Sequence, residues 1–160
     1  MIPMIQSLFA HQAWADDAIL NAIRDHPDGA TDEPLRKLIH HIVTVQRFFL
    51  SRFLDRPFDP AEMQLPDTLD VLLPKFDEAH RDGIAYAERL DEAELARSIE
   101  FPRMPEFRPS IREALMQVAM HSEHHRAQCA MRLRSLGGKP PITDYIIWVR
   151  DVRGNTGSAP

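Results

Sequence analysis

The stretch SIREALMQVAMHSEHHRAQCAMRLRSLGG, residues 110–138, decides the fold. It opens on Ser110-Ile111-Arg112-Glu113, directly after Pro109. This is a capping box, in which the serine and glutamate side chains each satisfy a backbone N–H that the first turn leaves unpaired. It closes on Gly137-Gly138, with Pro140-Pro141 just beyond to stop any continuation. Counted at about 100° per residue, Leu115, Val118, Ser122, Cys129 and Leu133 fall within about 40° of Ile111. One apolar stripe on a capped, long helix predicts a bundle helix with a single buried face.

Three further segments read the same way. From about Met4 to Arg24, the residues Ile5, Leu8, Phe9, Ala15, Ile19, Leu20 and Ile23 recur at spacings of three and four. A second helix begins near Asp32, with Thr31 or Asp32 as cap and Pro34 in the first turn, and continues to about Leu54. A third runs from about Thr68 to Leu90, with Leu69, Leu72, Leu73, Phe76, Ala79 and Ala87 inward and Pro74 placed to kink its start. Pro57, Pro60 and Pro66 mark a loop, and Ser98-Ile99-Glu100-Phe101, before Pro102 and Pro105, suits a short strand or hairpin arm. Ile142 to Val149 reads as a short final helix or packed tail. The expected class is all-α: a four-helix bundle with a short hairpin or loop insertion and a C-terminal short helix or tail. Residues 1–153 are expected to form one domain and 154–160 a flexible end.

Composition narrows the function. The chain has 160 residues, 44% hydrophobic and 27% charged, and a formal net charge of -5. That sign argues against nonspecific nucleic-acid or anionic-membrane partners, which favour a basic face. No run approaches the roughly 18 apolar residues of a membrane span. Cys129 is the single cysteine, so an internal disulfide is impossible and a reducing compartment is indicated. The opening residues lack the basic and apolar segments of a signal peptide, so the expected location is cytoplasmic.

Eight histidines are the informative excess. On the fourth helix His125 lies about 40° to one side of Ile111 and His121 about 80° to the same side, while His124 points about 140° away. His121 and His125 are thus successive-turn neighbours at the edge of the core, and two imidazoles at i and i+4 can hold one metal ion. On the second helix Leu35, Leu38, Ile39, Ile42, Val45 and Phe49 define an apolar arc bordered by His41, with His40 about 100° further round and outside it. A third inward histidine would complete a three-ligand, nitrogen-only set, the arrangement of catalytic rather than structural sites, suited to Zn²⁺, Ni²⁺ or Fe²⁺. The alternative is that these are half-buried, hydrogen-bonded and inert histidines. The pattern is not His-Glu-x-x-His, and Glu123 sits on the solvent side, so a zincin-type protease is excluded.

His121-Ser122-Glu123-His124-His125-Arg126-Ala127-Gln128 resembles the His-x-x-x-His-Arg-Gly-Gln segment of the DinB/YfiT-like family of damage-inducible, metal-dependent bundle proteins. Leu8 to Ala15 resembles that family's opening helix and Leu38 to Gln46 its second, where the ligand histidine matches His41. Gly137-Gly138-Lys139-Pro140-Pro141-Ile142-Thr143-Asp144 is similar to its Gly-x-x-Pro-Pro-x-x-Asp ending. The resemblance covers nearly the whole chain and implies a metal held by His41, His121 and His125. Two departures stand out: Gln46 occupies a place where many relatives carry Glu, and Ala127 replaces Gly. Since the family's characterised enzymes include thiol transferases and isomerases, the resemblance implies a metal-dependent enzyme acting on a small molecule, such as a low-molecular-weight thiol S-transferase. A metal-dependent hydrolase is the neighbouring reading, and a non-catalytic, stress-associated metal binder the alternative of a different class. It also implies a homodimer.

Other residues have plainer expectations. Gln128 shares an edge with His121 and His125. His11 borders the apolar arc of the first helix and is a candidate lining residue. Trp14 points away from Ile5 and Ile23 and is expected to pack on the tail or a partner chain. Asp144, Tyr145 and Trp148 are expected to cap the bundle, and Cys129 to be an inert core thiol. His26 and His80 show no partner in the sequence. Asp91 to Arg97 reads as a solvated helical turn.

Overall fold

The computed structural model describes residues 1–101 and 104–154. Pro102 and the end segment 155–160 lie outside the described residues. Four long helices carry the architecture: α1 (Ile2–Arg24), α3 (Glu33–Phe53), α4 (Leu73–Glu88) and α6 (Ile111–Ser135). Short helices α2 (Pro27–Thr31), α5 (Glu92–Ala96) and α7 (Tyr145–Trp148) sit in the connections, and α7 runs on into a π turn over Val149–Arg153. The chain is all-helical among the described residues, with one isolated antiparallel bridge, Ser98 to Ser110.

Contacts at the helix ends fix the directions. His26 Nε2 lies 2.8 Å from the Leu136 carbonyl, so α1 and α6 end together and run parallel. Arg132 reaches Asp32 at the start of α3 at 2.7 Å, so α3 opposes α6. Gln6 donates to the Ala87 carbonyl at 3.2 Å and Arg24 approaches Asp70 at 3.5 Å, so α4 opposes α1. Helices α3 and α4 are therefore parallel, and residues 54–72 must travel back the length of the bundle between them. α1 packs on α4 and α6, and α3 packs on the same two. The core fills the space between all four, with Ile19, Ile23, Leu35, Ile39, Ile42, Leu72, Phe76, Ile111 and Leu133 almost wholly buried.

Local signals behave as their chemistry dictates. Asp32 caps α3 by accepting from the Leu35 N–H at 2.8 Å, and both halves of the Ser110/Glu113 capping box form. Pro74 does not kink a helix: it sits in the first turn of α4, where its missing N–H costs nothing, and a 3₁₀ turn at Leu69–Val71 precedes it. The expected strand at Ser98–Phe101 is reduced to the single bridge, supported by Ile99 N–H donating to Pro109 at 2.9 Å and Ile111 N–H to Arg97 at 2.8 Å. Pro105 and Pro109 have no N–H to extend that ladder. The Asp91–Arg97 turn is helical, yet it is more than a solvated turn: Leu95 is wholly buried and Arg97 donates to the Phe53 carbonyl at 2.7 Å.

α6 ends through Gly137 at φ 84°, a left-handed conformation that a Cβ disfavours. Replacing Gly137 by Ala should destabilise the chain by about 1–2 kcal/mol in urea unfolding, although nothing crowds that Cβ. No loss would show that the backbone readily takes another path there.

After Pro141 the tail returns along α1. His11 Nε2 lies 2.8 Å from the Thr143 carbonyl, Tyr145 donates to Ser7 Oγ at 3.1 Å, and Trp148 is buried. The His11 ring meets Tyr145 at 5.3 Å, Trp148 at 5.9 Å and half-buried Trp14 at 5.8 Å between centroids. The tail thus docks through His11, which is engaged there and is not part of the histidine cluster.

Candidate metal centre

The α3–α6 seam brings His41, His121 and His125 together. One ligand nitrogen from each lies within 4.8 Å of the others. The Nε2 atoms of His41 and His121 are 3.0 Å apart, and the ring centroids are separated by 4.4–4.8 Å. The α6 pair meets because residues four apart stack on one helix face. His41 joins them because α3 runs antiparallel beside α6. A tetrahedral ion with bonds of about 2.0–2.1 Å sets its nitrogens about 3.3 Å apart. The His41–His121 pair, at 3.0 Å, is close to that spacing, and all three nitrogens lie within 4.8 Å of one another.

Protonation favours the same use. Burial, followed by the charges of His125, His41 and His124, pushes His121 down to about 4. Burial, then His125 and His40, lowers His41 as well. Crowded imidazoles resist a second proton, so near neutral pH each of these two rings is neutral, with one N–H and one bare nitrogen. On the third histidine, His125 Nδ1 lies 2.7 Å from Gln128 Oε1. That nitrogen must donate, which leaves Nε2 of His125 free to ligate. Gln128 Nε2 in turn contacts His124 Nε2 at 3.0 Å, so Gln128 orients the His125 ring rather than being a bystander. His121 Nδ1 is buried and has no hydrogen-bond partner among the described residues. The donor set, its spacing and its charge fit a divalent ion.

His124 and Glu123 are exposed, as expected, and Glu123 pairs with Arg126 at 2.8 Å. His40 differs from expectation. It is buried, with Nε2 2.8 Å from the Glu62 carbonyl, because the return segment through Pro60–Met63 covers that side of α3. His26 and His80 both have partners. His80 Nε2 is 3.1 Å from Asp16 Oδ2, across the bundle. Cys129 is wholly buried and its thiol is pushed up to about 12 by burial, in keeping with an inert group.

Beneath the histidines lies a buried polar layer that helix-by-helix reading does not reveal. Asp16 of α1 is wholly buried and takes bonds from Arg126 Nη1 at 2.7 Å, Gln46 Nε2 at 2.7 Å and His80 Nε2 at 3.1 Å. Gln46 also approaches Ser122 Oγ at 3.2 Å. Each long helix contributes to this layer. One signal was available: Arg126 lies about 60° from Ile111, on the core side of α6, where an unpaired cation would be expelled.

Burial pushes the Asp16 carboxyl up, but the His80 hydrogen bond, the Arg126 charge and the Gln46 hydrogen bond outweigh it and hold the group below its ordinary value. A depressed folded pKa means stability that is present above the unfolded value of about 3.9 and is lost as pH falls through the folded one. Acid unfolding should therefore steepen below about pH 4, and Asp16→Asn should flatten that limb. A denaturation series across that range checks it; identical slopes in both proteins would contradict the assignment.

The family model of the DinB superfamily matches residues 5–129, and the chain belongs to that superfamily. The match contains His41, His121, His125 and every member of the buried layer. No curated protein matches the chain. Among the described residues no helix is long and apolar enough to cross a membrane.

Proposed function

We infer that this DinB protein binds one divalent metal ion through His41, His121 and His125 and acts as a metal-dependent enzyme on a small molecule, with S-transfer involving a low-molecular-weight thiol as the reaction class. The observation that carries the reading is the convergence of three imidazole nitrogens within 4.8 Å at the mouth of the α3–α6 seam. Structural zinc sites are closed by four protein ligands, whereas three ligands with an open side belong to catalytic ones. Here His41 is exposed and His121 and His125 half-buried, so the open side faces solvent. A divalent ion in such a site lowers the pKa of a thiol or water brought to it, supplying a nucleophile near neutral pH.

The chain's own groups bind and orient. Gln128 fixes the ring of His125, and the tightly paired Asp16 and Arg126 hold the floor. Glu123 is exposed and paired with Arg126, and position 46 carries an amide, so neither supplies a carboxylate base at the histidines. The thiol substrate and the homodimer are carried over from the family resemblance.

The test is to load the protein with Zn²⁺, Ni²⁺ or Fe²⁺ and follow consumption of a panel of low-molecular-weight thiols with an electrophile, alongside ester hydrolysis. Metal-dependent thiol consumption that disappears in His121→Ala is the expected result. Hydrolysis alone would reassign the reaction class. Neither activity in a metal-loaded protein would leave a non-catalytic metal binder.

A further inference from the structure

The buried layer touches both helices that supply the histidines, and it does so at particular positions. Ser122 follows His121 and Arg126 follows His125 along α6. Gln46 lies five residues beyond His41 on α3, about 7.5 Å along the axis. Gln46 is 2% exposed, and its Nε2 reaches Asp16 Oδ2 at 2.7 Å and Ser122 Oγ at 3.2 Å. Its Oε1 is buried without a hydrogen-bond partner among the described residues. The amide orientation is therefore set by the carboxylate: reversing it would place two acceptor oxygens against each other.

We propose that Gln46 is the positioning residue of the three-histidine centre: by bonding Asp16 of α1 and Ser122 of α6 at once, it sets the axial register of α3 and so holds His41 opposite His121 and His125. This rests on the metal reading above.

Apolar contacts along the α3–α6 seam are non-directional and tolerate small slides. A slide of one residue moves a helix about 1.5 Å and turns it about 100°. Metal ligands must be held to about 0.5 Å. Directional bonds in a dry interior supply that constraint, and fixing register is the best-attested role of buried polar groups. A second polar tie across the seam, Asp32 to Arg132, sits at the far end with the arginine side chain 41% exposed, where an ion pair contributes little.

Gln46→Met tests this, because it cuts the tie of α3 at similar volume and strands no charge. Asp16 retains Arg126 and His80. Asp32→Asn is the control: it loses an α3–α6 ion pair and keeps a capping side chain. Each protein is checked for helix content, titrated with Co²⁺ and Zn²⁺, and its Co²⁺ visible spectrum recorded. The expected result is at least about a tenfold loss of affinity and a shifted Co²⁺ spectrum in Gln46→Met, with Asp32→Asn like wild type. Ser122→Ala should move both readouts the same way by less, and it decides the matter if Gln46→Met does not fold. Wild-type affinity and spectrum in the folded variants would overturn the positioning role alone. A wild-type protein that takes up no Co²⁺ or Zn²⁺ would overturn the metal reading and this role together.

Discussion

Replacing Asp16 by alanine destabilises the folded chain by about 3–5 kcal/mol, the range measured when one member of a buried ion pair is removed. Asp16 is wholly buried and Arg126 is 3% exposed, with 2.7 Å between their polar atoms. The substitution leaves the guanidinium in the bundle with only Glu123 at the rim, and takes from Gln46 and His80 the acceptor they share. For a chain of this size that loss lowers Tm by about 6–20 °C. Removing the charge at both ends, with Asp16→Leu and Arg126→Met, should recover much of it, because what is costly is the stranded charge and not the absence of the pair. Thermal and urea unfolding of the single and double variants measure both claims. A loss below about 1 kcal/mol in Asp16→Ala would mean that water reaches the layer and screens it.

The second large effect is stabilisation by metal. An ion that binds only the folded state stabilises it by about 2.7 kcal/mol when present at about 100 times its Kd. In this chain that is a rise in Tm of about 5–10 °C. His121→Ala should abolish the rise, since its ring contacts both other histidines and its Nε2 meets that of His41 at 3.0 Å. His124→Ala should keep it, because His124 is exposed and is absent from the converging set. Thermal unfolding with and without Zn²⁺ reads this directly. An equal rise in His121→Ala would place the binding elsewhere on the surface.

The helices were legible because each carries its signals within itself. The capping box at Ser110, the cap at Asp32 and the apolar stripes need no knowledge of a partner helix. The histidine cluster was legible for a related reason: α-helical geometry alone sets His121 and His125 on one edge, and His41 borders the apolar arc of α3. What could not be read is whatever depends on which helix faces which. Asp16, Gln46 and His80 each look like an ordinary polar residue on its own helix, and they become a network only when α1, α3, α4 and α6 are assembled. His40 was misplaced because the return segment that covers it has no periodicity of its own. His11 was read as a candidate lining residue and instead receives the tail, since the direction of an irregular segment is not encoded in helical spacing.

The most direct test of the centre is the metal content of untagged protein, measured by mass spectrometry beside His41→Ala, His121→Ala and His125→Ala. The wild type is expected to carry about one divalent ion per chain, lost in each variant with helix content unchanged. A folded wild-type protein that carries no metal even after reconstitution with Zn²⁺ or Ni²⁺ would contradict it, and would make the three histidines structural groups of the α3–α6 seam.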